Sequence, residues 1–237
     1  MLSYLRLRVF FRYKRPFSDW SRKRRMRMFN DLMNLEKRCS IIDLGGAPTT
    51  WSSVQIPLEI TILNLPGGVV QLPATHQIMN YLEGGACNVN LPDRSFDVVF
   101  SNSVIEHVGD ESKQAQFAKE ARRLGKSYWV QTPSKWFPIE AHCGMPFWWF
   151  YPAALRRFFI HRWRKTLPDW TEMVEGSAVL SKRDMRRLFP EAAILTERVL
   201  GIPKSYVAAF KEPDQATSAY RPWPDEYATH GRPKVKL

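Results

Sequence analysis

A short apolar segment that ends in an acidic residue and enters a glycine turn is the feature that most constrains the fold of this chain. Residues 41–48 read IIDLGGAP. A strand of a parallel sheet is buried on both faces and reads as a continuous apolar run, and adjacent glycines let the backbone approach a ligand. A second apolar run ends at Asn64, about 20 positions further on, where doubly wound folds place a ribose contact. The pair predicts a nucleotide-like ligand.

Short apolar runs alternate with amphipathic segments from Cys39 to Val130, which predicts βαβ units and a parallel sheet. The spacing places an amphipathic helix at 113–124 and a second helix, started by Ser181, at 181–189. Two further strands around a glycine turn at 201–203 close the sheet. The predicted strands cover residues 40–43, 59–64, 96–101, 127–131, 193–199 and 204–210.

The N-terminal segment 1–36 is predicted to be a basic amphipathic arm. The chain has 35 Lys and Arg against 23 Asp and Glu, a net charge of +12, and many of the cations lie in its first thirty residues among large apolar side chains. Such a segment binds an anionic membrane surface or follows a nucleic-acid backbone, whereas charge runs also mark a solvated helix packed on a domain edge. The three readings stay open, with nucleic acid the less favoured partner.

The segment 133–170 interrupts the alternation with a dense set of aromatic residues laced with arginines. It is predicted to be a lid or a docking surface, and aromatic packing as a helical extension of the core is the alternative. The domain boundaries are therefore 37–212, with this insert inside them, and a flexible tail at 213–237 whose composition offers little to bury.

The cysteine content and the hydropathy indicate a cytoplasmic protein. Cys39, Cys87 and Cys143 are widely spaced and odd in number, so they suggest neither a disulfide framework nor a zinc pattern. We expect no signal peptide and no membrane span, because arginines interrupt the apolar patch near the N-terminus. Through its arm the protein is expected to associate peripherally with the inner face of the membrane.

Three segments in order resemble the class I S-adenosylmethionine-dependent methyltransferases, specifically the type 11 small-molecule group. They are IDLGG at 42–46, LPDRSFDVVF at 91–100 and SNSVIEHV at 101–108, and the similarity runs from about residue 39 to 210. The resemblance implies a Rossmann-like α/β fold: a doubly wound, seven-stranded, mostly parallel sheet with a terminal antiparallel hairpin and helices on both faces.

The resemblance also implies a site for the cofactor S-adenosylmethionine. Asp43 would hold the methionine ammonium, and Asn64 would meet the ribose with one acceptor oxygen instead of a carboxylate. The family leads one to expect a glycine at Ala47 and an acidic residue at Gly85, so the main chain after Gly85 would read the adenine. The implied cofactor-binding residues are Asp43, Gly45, Gly46, Asn64, Ala86, Cys87, Asn102 and Ser103.

The candidate catalytic residues are His107, Glu140 and His142. His107 opens the helix after the predicted strand 96–101 and is either a base or a capping or core histidine. Glu140 and His142 lie where family members place substrate loops, and two titratable groups in an apolar segment are costly to bury unless they are paired or face a pocket. The sequence does not place His107 near them, so no metal site is predicted.

The sequence therefore predicts an O- or N-methyltransferase acting on a small-molecule, saccharide or lipid-linked acceptor. The segment 132–142 resembles enzymes that modify cell-surface saccharides or lipid-linked intermediates. Two alternatives remain: an RNA methyltransferase, and a binding protein that kept the fold but binds the cofactor weakly because of Ala47, Asn64 and Gly85. A nicotinamide dehydrogenase ranks last, because the turn lacks the third glycine at the required offset.

Overall fold

A seven-stranded sheet forms the centre of the protein in a computed structural model that describes residues 2–68 and 77–213. Its order is β3-β2-β1-β4-β5-β7-β6. All neighbouring strands are parallel except β7, which is antiparallel to β5 and β6. The strands are β1 Ser40–Leu44, β2 Glu59–Asn64, β3 Ile78–Glu83, β4 Phe96–Asn102, β5 Gly125–Pro133, β6 Ala193–Val199 and β7 Ile202–Phe210. This architecture confirms the predicted doubly wound sheet with a terminal hairpin.

The strand order reverses between β1 and β4, and this reversal positions the site. β1 pairs with β2 on one side and with β4 on the other, with Asp43 opposite Ile62 and Phe100. The chain winds outwards from β1 to β3 and then in the opposite direction from β4, which leaves a crevice beyond the carboxyl ends of β1 and β4. Open α/β sheets bind their ligands at this switch point.

The helices that cover one face of the sheet follow the predicted pattern. α2, Glu111–Leu124, begins after Asp110, whose side chain accepts a hydrogen bond from the Lys113 amide. α5, Lys182–Leu188, begins with a capping box between Ser181 and Asp184. Such caps satisfy backbone N–H groups that a helix start leaves without partners. The apolar side of α2 packs against this face in a cluster with β4 and β5.

α1, Leu2–Met33, covers the other face, and its C-terminal part differs from the prediction of an arm outside the core. Phe29 is fully buried, with ring-centroid distances of 4.8 Å to Phe100, 5.6 Å to Trp129 and 6.0 Å to Trp51. The sequence pattern alone did not predict the burial of this part of the helix, because its apolar residues lie among many basic ones. The partner of the N-terminal cations stays a prediction.

Arg25 anchors α1 to the far edge of the sheet. Its guanidinium donates to both carboxylate oxygens of Glu197 on β6, at 3.0–3.1 Å from Nε and 2.7 Å from Nη2, and Nη1 donates to Asn102 Oδ1. The pair is almost entirely withdrawn from solvent, and Ser205 also donates to Glu197. A buried, bidentate pair of this kind is costly to break from one side.

The aromatic insert packs mostly on itself. It contains α3, Ala153–Arg164, and the start of α4, Pro168–Glu175. Its buried residues Cys143, Trp148, Ile160 and Trp163 form one cluster with Val174 of α4. Trp136, Phe147, Phe150 and Phe158 remain exposed. The packing interpretation therefore holds for its centre, whereas its first part lines a cavity described below.

Two further predictions concern the C-terminal tail and membrane-spanning segments. The tail at 213–237, which the sequence predicts to be flexible, lies outside the described residues beyond Pro213. Among the helices that the structure does describe, none is long and apolar enough to cross a membrane.

Candidate active site

Asp43 lies beneath the glycine turn at the end of β1 and is fully buried. Trp51 Nε1 donates to Asp43 Oδ2 at 2.9 Å, while Oδ1 has no partner within the described parts of the chain. Gly45 has φ +73°, and a Cβ at Gly46 would lie within 2.4 Å of the Asp43 carboxylate atoms. Only glycine fits at position 46, because any side chain there would collide with the carboxylate.

Burial raises the pKa of Asp43 to about 7, and the hydrogen bond from Trp51 offsets this only in part. A buried carboxylate without a cation is held at a cost in free energy. A cation that reached Oδ1 would favour the ionised form. The end of β1 thus offers a place for an ammonium group.

Asn64, at the end of β2, is tied to the glycine turn. Its Nδ2 donates to the Gly46 carbonyl at 2.8 Å, and the Gly45 amide donates to the Leu63 carbonyl at 2.8 Å. These bonds fix the amide so that Nδ2 points into the turn. The Oδ1 atom is then the acceptor that Asn64 offers to a ribose hydroxyl.

Ala86 and Cys87 lie in the loop after β3 and are partly buried against the cluster that holds α2. The Gly84 amide donates to the Asn64 carbonyl at 2.8 Å, which brings this loop beside the end of β2. A Cβ at Gly85 would meet no atom within 4 Å. The structure therefore has space for the acidic side chain that the family pattern places there.

Asn102 ends β4 at the switch point, and Ser103 follows it. Ser103 has φ +59°, its amide donates to the Gln131 carbonyl at 3.0 Å, and its hydroxyl donates to Gln131 Oε1 at 2.9 Å. Asn102 accepts from Arg25. These two hydrogen bonds to Gln131 hold Ser103 in a left-handed backbone conformation, which most residues with a side chain disfavour.

A cavity of about 580 Å³ opens beside these two residues. It brings Asn102 and Ser103 of the predicted cofactor site together with Glu140 and His142 of the predicted substrate loop. α1 contributes one wall and the aromatic insert another. Its further lining includes Phe17, Ser21, Arg22, Phe137, Trp149 and Lys204.

Glu140 orients His142. Glu140 Oε1 lies 2.9 Å from His142 Nδ1, and Oε2 accepts from the backbone amides of His142 and Cys143. Burial raises the pKa of Glu140, but the hydrogen bonds from His142 and Cys143 outweigh it and hold this pKa below its ordinary value. Glu140 is therefore an ionised acceptor, and its partner Nδ1 carries the ring hydrogen.

His107 meets His142 although 35 residues separate them. The two Nε2 atoms lie 3.1 Å apart, and His107 Nδ1 lies 3.2 Å from Ser177 Oγ. Burial and then the neighbouring His142 lower the pKa of His107 to about 4. His107 is thus a neutral imidazole at physiological pH.

Glu106 completes this group from inside the protein. It is fully buried, Oε2 accepts from Thr132 Oγ1 at 3.0 Å, and Oε1 has no partner in the described residues. Burial raises its pKa to about 7. Glu106 Oε1 lies 4.0 Å from His107 Nε2.

The structure thus assembles two groups of predicted residues and adds others. It brings His107, Glu140 and His142 together, and it places the predicted cofactor residues along the carboxyl ends of β1, β2 and β4 and in the loop after β3. Sequence reasoning gave no role to Arg25, Glu106, Gln131 or Ser177. Of these only Glu106 carried a local signal, because it lies in the segment SNSVIEHV, on which the resemblance rests.

Comparison with known families agrees with this geometry. Residues 55–127 match the model of the type 11 methyltransferase domain family. This match confirms the predicted resemblance, and it covers β2, β3, β4, α2 and the start of β5. A comparison with curated protein sequences gives no significant match.

Several solved structures are similar to this chain at low sequence identity. A chain in a complex that contains the Haloferax volcanii Trm112 methyltransferase activator is 14% identical, with a TM-score of 0.50 over 85% of this chain and 97% of that one. An Aquifex aeolicus SAM-dependent methyltransferase is also 14% identical, at TM-score 0.44 over 77% and 87%. An Anabaena variabilis protein from an antibiotic biosynthesis pathway is 17% identical, at TM-score 0.46 over 74% and 66%. This chain spans slightly less than two thirds of the Anabaena protein.

Proposed function

We propose that this protein transfers a methyl group from S-adenosylmethionine to a small-molecule, saccharide or lipid-linked acceptor held in the 580 Å³ cavity. One observation carries the proposal: the cavity is lined at once by Asn102 and Ser103, at the carboxyl end of β4, and by Glu140 and His142. In open α/β sheets that end faces the ligand. The methyl donor and the acceptor would therefore meet at this junction.

The residues at the end of β1 fit the cofactor. The unpartnered, buried Oδ1 of Asp43 is an acceptor for the methionine ammonium, and Gly46 lets the turn lie directly against this carboxylate, with which a Cβ would collide. The Asn64 amide and the loop at Ala86 and Cys87 would hold the ribose and adenine. When bound, the cofactor supplies a methyl group on a sulfonium, so the protein need only align a nucleophile and exclude water.

The cavity suits a compact acceptor or one end of a larger one. Its volume lies within the range of about 300–1,000 Å³ that is usual for small-molecule sites. Phe17, Phe137 and Trp149 supply apolar walls, and Ser21 and Ser134 supply hydroxyls. This combination favours an acceptor with an apolar face and hydroxyl or amine groups.

The Glu140–His142 pair supplies the proton acceptor in this proposal. A hydroxyl loses its proton as its oxygen is methylated, whereas an ammonium must lose a proton before its nitrogen can attack the methyl group. An imidazole oriented by a carboxylate accepts that proton. The negative charge of Glu140 then stabilises the imidazolium. His107 stays neutral beside it, because its pKa is about 4.

The test is methyl transfer by the purified full chain supplied with methyl-labelled cofactor and either a cell extract or a panel of saccharide, lipid-linked and phenolic acceptors. We expect label in a small-molecule or lipid fraction, and loss of most of that transfer in His142→Ala. His161→Ala is the matched control, because His161 is an exposed histidine on α3 and the variant should keep full transfer.

Two outcomes would contradict the proposal. Cofactor binding without transfer to any fraction would support the binding-protein alternative. Label confined to RNA, and removed by ribonuclease, would support an RNA methyltransferase instead.

A further inference from the structure

The hydrogen positions on His107 and His142 follow from their neighbours. His142 Nδ1 faces the Glu140 carboxylate at 2.9 Å, so it carries the hydrogen. His107 Nδ1 faces Ser177 Oγ at 3.2 Å, and this hydroxyl already donates to the Met173 carbonyl at 2.8 Å. Ser177 is therefore an acceptor towards His107, whose Nδ1 also carries the hydrogen. With its hydrogen on Nδ1, each ring in its neutral form directs an Nε2 lone pair into one gap 3.1 Å wide.

A third acceptor atom faces the same gap. Glu106 Oε1 is buried, has no hydrogen-bond partner within the described residues and lies 4.0 Å from His107 Nε2. A proton shared between the two rings would satisfy the nitrogens and leave this oxygen unpaired. Such a buried oxygen destabilises the protein unless a donor or a cation meets it.

The spacing of the three atoms suits a metal ion. All three lie within 4.8 Å of one another. Bonds of about 2.0–2.2 Å to nitrogen and oxygen place the ligand atoms of a tetrahedral site about 3.3 Å apart. The two nitrogens already have nearly this separation, and the Glu106 oxygen, which lies within 4.8 Å of both, reaches it with a shift of up to about 1.5 Å.

We propose that Glu106 Oε1, His107 Nε2 and His142 Nε2 bind one divalent transition-metal cation, with Zn²⁺ as the representative ion. Two imidazoles and one carboxylate suit such borderline ions, whereas Mg²⁺ and Ca²⁺ prefer oxygen ligands. Three protein ligands leave a fourth position open, as in catalytic zinc sites. The presence of His142 in the lining of the acceptor cavity places this site beside the substrate.

The neighbours of the three ligands resemble the outer shell of a metal site. Glu140 accepts from the far nitrogen of His142, and Ser177 accepts from the far nitrogen of His107, so each ring is held with Nε2 forward. Such partners fix the tautomer and orientation of ligating histidines. The metal-free pair accepts a proton as proposed above, and in the metal-loaded protein the same nitrogens are ligands. The use of the cation in catalysis rests on the proposed function, whereas its binding does not.

The experiment is titration of the full chain, freed of metal by dialysis against a chelator, with ZnCl₂ in competition with a chromophoric chelator. We expect one equivalent bound, with at least about tenfold weaker binding in His142→Ala and in the near-isosteric Glu106→Gln. His161→Ala and Glu172→Gln are the matched controls on exposed positions of α3 and α4 and should bind as the wild type does. Circular dichroism checks that every variant is folded.

Equal zinc binding by the wild type and both ligand variants would overturn the proposal, and so would the absence of a saturable site. Displacement of Zn²⁺ by an equal concentration of Mg²⁺ would overturn the assigned class of cation. With CoCl₂ as the probe, visible absorption bands of a low-coordinate site are expected in the wild type and not in His142→Ala. Zinc binding without methyl transfer would support the metal site and refute the proposed function. Methyl transfer by a protein that binds no zinc would support the proposed function and refute the metal site.

Discussion

Trp51 donates its indole hydrogen to one oxygen of the buried Asp43 carboxylate at 2.9 Å, and the other oxygen has no partner in the described part of the chain. The glycine turn passes over this carboxylate so closely that position 46 has no room for a side chain. A half-satisfied buried carboxylate destabilises the empty protein. A cationic ligand that reached the free oxygen would remove this destabilisation.

Cofactor affinity should depend on pH through Asp43. Burial raises the pKa of Asp43 to about 7 in the empty site, and the cofactor ammonium favours the ionised form. Below about pH 7 binding must therefore remove a proton, so the Kd should fall roughly tenfold between about pH 6 and 7.5. Calorimetric titrations of the cofactor across this pH range measure the Kd. 5′-Methylthioadenosine lacks the ammonium, and an equal pH dependence for it would contradict the assignment.

The Trp51 hydrogen bond should matter more than the Trp51 ring. Trp51→Phe leaves both Asp43 oxygens without a partner. We therefore expect it to lower the free energy of unfolding by about 1–3 kcal/mol more than a Trp→Phe change that breaks no hydrogen bond. Trp129→Phe is the match, because Trp129 is fully buried and its Nε1 has no partner in the described structure. Urea unfolding of both variants compares the two, and equal losses would refute the role of the bond.

Restoring the acidic residue that the family pattern places at Gly85 should tighten cofactor binding. A side chain there meets no atom within 4 Å, and Gly85 has no positive φ. Gly85→Asp adds an acceptor for the adenine amino group, worth about 1 kcal/mol, so the Kd should fall about fivefold. Gly85→Ala adds bulk without an acceptor and is the control. If Gly85→Ala bound the cofactor as tightly as Gly85→Asp, the added carboxylate would not be the cause of the tighter binding.

Removing Arg25 should destabilise the protein strongly. Arg25→Ala leaves Glu197 buried without its cation, at a cost of about 3–5 kcal/mol. Arg22→Ala, three residues earlier, removes an exposed partner of Asp19 at 3.5 Å and should change the free energy of unfolding by less than about 0.5 kcal/mol. A small loss in Arg25→Ala would show that α1 is not anchored by this pair.

The sequence predicted most of the sheet because its central strands are continuous apolar runs between turns. β2 and β6 have the predicted bounds, and β1, β4, β5 and β7 are one to four residues longer at their ends. The prediction missed β3, an edge strand with exposed and half-buried positions and no continuous apolar run. One-sided exposure at a sheet edge weakens the pattern on which strand prediction depends.

The sequence could not predict contacts between distant segments. Arg25 and Glu197 lie 172 residues apart, and His107 and Ser177 lie 70 apart. The sequence named His107 and His142 separately and left their distance open, so it gave no metal set. Their meeting depends on how the insert folds back over the switch point, which no local spacing encodes.

The central claim is that S-adenosylmethionine binds at Asp43, and calorimetric titration of the cofactor into the wild type and Asp43→Asn tests it most directly. The raised pKa of Asp43 means that its ionisation destabilises the empty protein increasingly from about pH 4 to 7. Asp43→Asn removes that charge, so its Tm at pH 8 should equal or exceed that of the wild type. The account predicts one equivalent of cofactor bound by the wild type and at least tenfold weaker binding by this folded variant. No saturable binding by the wild type, or equal affinity in both proteins, would contradict it.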